Sequence, residues 1–241
     1  GNTIYFPKIS VGATENLIIA ASLAKGTSIL SNCAIEPEIK DLVNFLNKLG
    51  CDIQWISKRK IKIIGVKAIK EISYSVMFDR IEAGTYLIAA AVTGGKLQIQ
   101  NIVPEIIKTE IKILKKIGSK ITLKKNEVKI IGNRKIKSMK IKTAPYPGFP
   151  TDLQAQMMVL LCKGNKSSQI QESIFENRFM HVAELNRMGA KILINGNKAT
   201  VNGNISFAPA ELMATDLRAS VSLILAALSA KGKSVINRIY H

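Results

Sequence analysis

Three stretches, "NFLNKLGCDIQW", "KILKKIGSKITL" and "AELNRMGAKILI", share one pattern: a helix with an apolar stripe stops at a glycine and the chain restarts as a strand. The glycines are Gly50, Gly118 and Gly189, about 70 residues apart. Upstream of each lies a second matching stretch, "LAKGTSILSN", "VTGGKLQIQN" and "LCKGNKSSQIQE", which reads as helix, Gly-containing turn and strand. Gly65, Gly132 and Gly203 close the units in "KIIGV", "KIIGN" and "TVNGN". A period of this length marks a repeat architecture and restricts the fold more than any single motif. Units with apolar helices and half-buried strands must stack on their siblings to hide both faces. The expectation is an α+β protein, an α/β prism of repeated βαβαββ-type units with sheets wrapped around buried helices. Three copies are full, and a partial fourth begins at "ATDLRASVSLILAALSAKGKSVINRIYH".

At 241 residues and 47% hydrophobic the chain can bury a substantial core. Its longest apolar runs, "LIIAASLA" and "VSLILAALSA", fall short of the roughly 18 residues a membrane helix needs, and no signal-peptide pattern opens it. The expectation is a cytoplasmic protein without a membrane partner. Cys33, Cys51 and Cys162 lack CxxC spacing, and the histidines are His181 and His241. The cysteines read as reduced, mostly buried thiols and not as a metal site or a disulfide framework. The net charge of +18 raises nucleic acid and anionic substrates as partners. The excess is mostly lysine alternating with isoleucine, as on the wet face of a strand, and Arg-rich and stacking elements are missing. A solvated face is favoured over a nucleic-acid groove, and anionic small molecules stay open.

Comparison among the copies singles out particular residues. Counting back from the terminating glycine, Leu49, Leu46 and Val43 match Ile117, Leu114 and Ile111, then Met188, Leu185 and Val182. This is a core stripe. One turn earlier stand Ile39, Ile107 and then Arg178, a cation in a sibling's apolar position at the expected start of a helix. Such an arginine needs an anion. Two readings stand: an ion pair with Glu172 or Glu176, or a bound ligand anion at the helix mouth.

The first helices of the units open at "SVGATEN", "DRIEAGT", "TDLQAQ" and "TDLRAS". Thr151 and Gln154 fit a capping box with Asp152 as first helical residue. The residue matching Gln154 in the fourth copy is Arg218, a second cation in a first turn, preceded by Asp216. Two departures of one kind suggest a shared anion site, whereas each aspartate alone is explained by dipole complementarity, about 0.3 to 1 kcal/mol. The turn Ser10-Val11-Gly12 beside Lys8 reads either as a plain strand-to-helix turn or as backbone amides facing a phosphate.

Taken together, "SVGATEN", "DRIEAGTYLIAAA", "TAPYPGFPTDLQAQM", "IFENRFMHVAELNRMGA" and "MATDLRASVSLILAAL" resemble the UDP-N-acetylglucosamine 1-carboxyvinyltransferase family, in order along the whole chain. The resemblance implies transfer of the enolpyruvyl group of phosphoenolpyruvate to the 3-hydroxyl of UDP-N-acetylglucosamine with release of phosphate, the first committed step of peptidoglycan synthesis. It implies that Arg178, Asp216, Leu217 and Arg218 hold phosphoenolpyruvate. Lys8, Ile9, Ser10, Val11, Gly12 and Ile174 would contact the nucleotide sugar, and Asp152 would bind its hydroxyl and accept the proton. No cofactor is implied. The related 5-enolpyruvylshikimate-3-phosphate synthases share the repeats but not the "ENRFMH" block in this form.

The sequence departs from that family in extent. The family has six such repeats in two domains, and this chain holds three and a part. Residues 1–70 are expected to be the last repeat of the first domain and residues 71–241 the second domain without its closing elements. The segments bearing the family's cysteine acid and further arginines are not in this sequence, and none of the three cysteines inherits that role. An exposed apolar patch and no transferase activity for this chain alone are expected. Alternative readings are a shikimate-type transferase, a non-catalytic nucleotide-sugar binding module, or a nucleic-acid binder.

Overall fold

A computed structural model describes residues 1–239. The chain divides into two compact units, Gly1–Met77 with Pro145–Pro147, and Phe78–Ala144 with Gly148 onward.

In the first unit, β1 (Thr3–Tyr5), α1 (Val11–Ser22), β2 (Thr27–Ser31), α2 (Pro37–Lys48), β3 (Asp52–Ser57) and β4 (Lys60–Ile64) follow one another. The sheet order is β1-β2-β4-β3, with β1 parallel to β2 and the remaining pairs antiparallel. Lysine–isoleucine alternation sets its two faces: Ile61 and Ile63 are buried on β4, and Lys60 and Lys62, which alternate with them, are partly exposed.

The second unit repeats this plan. It opens with α3 (Arg80–Thr93) and β5 (Lys96–Gln100), then a 3-10 turn, Pro104–Ile107, running into α4 (Lys108–Ile117), and ends the copy with β6 (Lys120–Lys124) and β7 (Glu127–Ile131). The next copy has β8 (Lys140–Lys142), a 3-10 turn at Thr151–Leu153, α5 (Gln154–Cys162), β9 (Ser168–Gln171), α6 (His181–Arg187), β10 (Ile192–Asn195) and β11 (Lys198–Val201). Its sheet, β8-β9-β11-β10, has the order and the parallel first pair of the first unit's sheet. The last copy contributes β12 (Glu211–Met213), α7 (Leu217–Ser229) and β13 (Val235–Asn237), with β12 parallel to β13.

Two helix types follow from two sequence patterns. Of the first helices, α5 is almost wholly apolar and sinks into the core. All nine residues of α5 are buried, and α3 and α7 pack against it. The second helices carry a stripe: Ile111, Leu114 and Ile117 of α4 face inward while Lys108, Lys112, Lys115 and Lys116 face out. Each fully buried aliphatic side chain of this kind contributes about 1.5–3 kcal/mol.

The repeat glycines have two distinct physical reasons. Gly50, Gly118 and Gly189 end the second helices at φ of 103°, 126° and 90°, a region that costs a side chain and suits glycine. Gly65, Gly132 and Gly203 lie where the closing strand passes the turn after the first helix. A Cβ there would stand 1.6 Å from Ala24 O, 2.3 Å from Ala90 O and 2.1 Å from Gly164 O respectively.

Apolar side chains remain exposed along one side of α7, at Leu217 (56%), Ile224 (44%) and Leu228 (62%). In the first unit, Ile19 and Leu23 of α1 and its C-cap are similarly open. No helix among the described residues is long and apolar enough to cross a membrane.

Candidate functional site

The second unit gathers three of the singled-out side chains on one atom. Arg178 Nη2 donates to Asp152 Oδ1 at 3.3 Å, and Arg218 Nε donates to the same oxygen at 2.6 Å, with Arg218 Nη2 also paired to it. Asp152 sits in the 3-10 turn that enters α5, Arg218 in the first turn of α7, and Arg178 in the loop before α6. The three side chains are 28%, 39% and 18% exposed, so the cluster is reachable from solvent.

Arg178 has the more demanding environment. Its Nη1 donates to Thr151 Oγ1 at 3.1 Å, and its guanidinium carbon lies 4.4 Å from the centre of the Phe175 ring, a cation–π contact. Burial lowers its pKa from the ordinary arginine value and the Arg218 charge lowers it further, against the opposing pull of Asp152, Glu172 and Asp216. Arginine stays charged in proteins, so this discomfort is a demand for negative charge. Each guanidinium has five N–H donors; among the described residues the protein engages two nitrogens of each. Donors remain for an anion with several oxygens.

The local structure corrects two sequence expectations. Arg178 is not at a helix start: α6 begins at His181, later than the sibling positions imply, because Ile174 N and Phe175 N donate to Glu172 Oε1 (2.8 and 3.2 Å) and Asn177 turns at φ 54°. Those bonds hold a loop, and Arg178 lies in it where Ile39 and Ile107 lie in helical turns. Thr151 forms no capping box with Gln154. Pro150 occupies the cap position of the 3-10 turn without a side-chain bond. The Thr151 hydroxyl instead donates to Glu172 Oε2 at 2.8 Å and accepts from Arg178. Arg178 therefore pairs with Asp152, and Glu172 acts on it through Thr151.

Asp216 caps α7, its Oδ1 accepting from Arg218 N at 2.8 Å. Leu217 is the first residue of α7 and Ile174 is 38% exposed beside the Glu172-held loop. His181, 3% exposed, begins α6 with Nε2 buried and unpartnered. Burial pushes its imidazole down to about 4, with Asp216 opposing and Arg178 adding to the shift.

The remaining candidates belong to the first unit. Ser10 caps α1, its Oγ accepting from Ala13 N at 3.2 Å, while Lys8 is exposed, Ile9 and Val11 are half-buried, and open space faces a Cβ at Gly12. Burial pushes the Cys33 thiol to about 11 and the Cys162 thiol to about 12, so both are poor nucleophiles. Among the described residues there is no group of three or more His, Cys, Asp or Glu placed to hold a metal ion.

The fold is shared with solved proteins of other organisms. It is similar to the enolpyruvyl transferase NikO from Streptomyces tendae, with a TM-score of 0.91 at 23% identity over 100% of this chain and 60% of that one. It is also similar to EPSP synthase from Acinetobacter baumannii, with a TM-score of 0.72 at 17% identity over 98% of this chain and 58% of that one. Likeness at such identities is likeness of fold. The family model for EPSP synthase (3-phosphoshikimate 1-carboxyvinyltransferase) matches residues 1–241, and the chain belongs to that family. Among curated relatives, the UDP-N-acetylglucosamine 1-carboxyvinyltransferase of Pelagibacter ubique (strain HTCC1062) is 76% identical over 241 residues, and that of Geotalea uraniireducens (strain Rf4) is 51% identical over 241 residues. The alignments cover all of this chain and 58% of each relative's length.

Proposed function

We propose that these residues form part of an enzyme that transfers the enolpyruvyl group of phosphoenolpyruvate to UDP-N-acetylglucosamine. The observation that carries this reading is the meeting of Arg178 and Arg218 on Asp152 in a chain whose relatives at 76% and 51% identity bear that activity in their names. Phosphoenolpyruvate has a phosphate and a carboxylate, which suit two arginines with donors to spare. Arg178 and Arg218 grip it, with Asp216 and the Leu217 backbone alongside.

Asp152 then takes the proton from the attacking 3-hydroxyl as its oxygen bonds to C2 of phosphoenolpyruvate, and the double-bond electrons take up a proton at C3 from a general acid. Departure of phosphate from C2 together with a proton from C3 of the resulting tetrahedral adduct restores the double bond. While both guanidiniums rest on Asp152 Oδ1 its electrons are engaged, and a dianion that draws them off frees the carboxylate to act as a base. Ile174 and the Lys8-Ile9-Ser10-Val11-Gly12 segment are assigned to the nucleotide sugar on the strength of the resemblance. The first unit is read as the last repeat of an N-terminal domain and the second as part of the C-terminal domain. The setting is cytoplasmic, where both substrates are made, and no nucleic acid is a partner.

The test is a chimaera in which these 241 residues replace the matching stretch of the Pelagibacter ubique relative. Phosphate release from phosphoenolpyruvate is then followed with UDP-N-acetylglucosamine or with shikimate 3-phosphate. Release with the nucleotide sugar, lost in Asp152→Ala, supports the reading. Release only with shikimate 3-phosphate, or in neither case, contradicts it. The 241-residue polypeptide by itself is expected to release none.

A further inference from the structure

Glu172 follows β9 and is 2% exposed, a buried carboxylate that the proposed chemistry does not use. Its partners are unusual in kind. Oε1 accepts from Thr143 Oγ1 at 2.7 Å, Ile174 N at 2.8 Å and Phe175 N at 3.2 Å, and Oε2 accepts from Thr151 Oγ1 at 2.8 Å. A hydroxyl has one proton, and a carboxylate only accepts. Each threonine proton therefore points at Glu172, and each threonine oxygen turns its lone pairs to another donor. For Thr143 that donor is Ser173 N at 2.8 Å; for Thr151 it is Arg178 Nη1 at 3.1 Å.

We propose that Thr151 and Glu172 are positioning residues for Arg178, Glu172 fixing the direction of the Thr151 hydroxyl and that hydroxyl fixing the plane of the guanidinium. The plane is bounded on one side by the Phe175 ring, whose own backbone N–H is held by the same Glu172. One buried carboxylate thus sets the hydroxyl beside Arg178, the aromatic ring against it and the Ile174 loop that continues from it. Thr151 also precedes Asp152 directly, so the relay ties the orientation of the cation to the residue its other arm reaches. A carboxylate that merely capped the 174–175 loop would have no need of Thr151, and this difference makes the inference testable. The consequence for phosphoenolpyruvate rests on the function proposed above; the orientation of Arg178 does not.

The experiment is 15N NMR of arginine side chains in the 241-residue chain, with Arg178 assigned from Arg178→Lys. Hindered rotation should give Arg178 resolved, exchange-protected Nη–H signals in the parent protein. Thr151→Val keeps the shape of the side chain and removes the acceptor, and should collapse those signals; Thr151→Ser should retain them. Thr151→Ala serves in place of Val if the latter misfolds, and Glu172→Gln should broaden the Arg178 signals with Thr151 intact. Signals unchanged in the Val, Ala and Gln variants, or free rotation of Arg178 in the parent protein, would overturn the inference. Phosphoenolpyruvate titrated into the same samples should bind about tenfold more weakly to Thr151→Val than to Thr151→Ser. If the parent protein binds none while the side-chain signals follow the expected pattern, positioning stands and the functional reading falls.

Discussion

Arg178 and Arg218 approach Asp152 from different elements and end on the same oxygen, Oδ1, at 3.3 and 2.6 Å. Two guanidiniums share one carboxylate oxygen and keep N–H donors to spare, and an anion with more oxygens competes with Asp152 for them.

Replacing Asp152 by Asn removes the competing charge while keeping the side chain's shape. Affinity for inorganic phosphate should rise about five- to tenfold, consistent with about 1 kcal/mol for a partly exposed ion pair. In the chimaera the same substitution should lower turnover by about 10²–10⁴, the range for losing a general base. Calorimetric titration and the phosphate-release assay read the two effects, which run in opposite directions.

His181 couples stability to pH. Its folded pKa of about 4 lies below the ordinary imidazole value of 6.5, so the fold prefers the neutral imidazole. The stability this contributes is fully present above pH 6.5 and is lost as pH falls toward 4, reaching a loss of about 2 kcal/mol at pH 5. Urea unfolding of the parent and of His181→Asn at pH 7 and pH 5 checks it: the gap between them should narrow at the lower pH.

Leu114 tests the core stripe. It is fully buried in α4, and Leu114→Ala should cost about 2–5 kcal/mol with little change in denaturant slope. Lys112→Ala, on the exposed side of the same helix, should stay within about 0.5 kcal/mol.

Much of the architecture was legible because each repeat is checked by its siblings. The terminating glycines and the stripe they anchor appear in the structure at the expected residues. The cluster of Arg178, Arg218 and Asp152 was legible where one copy breaks the shared pattern, as Arg178 does against Ile39 and Ile107. Its setting was not. A helix start was expected at Arg178 and a capping box at Thr151, because local propensity cannot foresee that Glu172 captures both the 174–175 backbone and the Thr151 hydroxyl. The signal for Glu172 was nonetheless present. The matching ends of the sibling strands are Asn32 and Asn101, which turn with φ of 61° and 59°, and the third copy alone puts a glutamate there. His181 gave no such signal, since its importance comes from burial beside Arg178 and Asp216, which only the packing reveals.

The most direct test of the central claim is calorimetric titration of phosphoenolpyruvate into the parent chain, Arg178→Ala, Arg218→Ala and the double variant, at one fixed ionic strength. Each single change should weaken binding by about tenfold or more, as expected for removing a charge-assisted contact of about 1.5–3 kcal/mol, and the double variant should show no binding. Equal affinity in all four proteins would contradict the account.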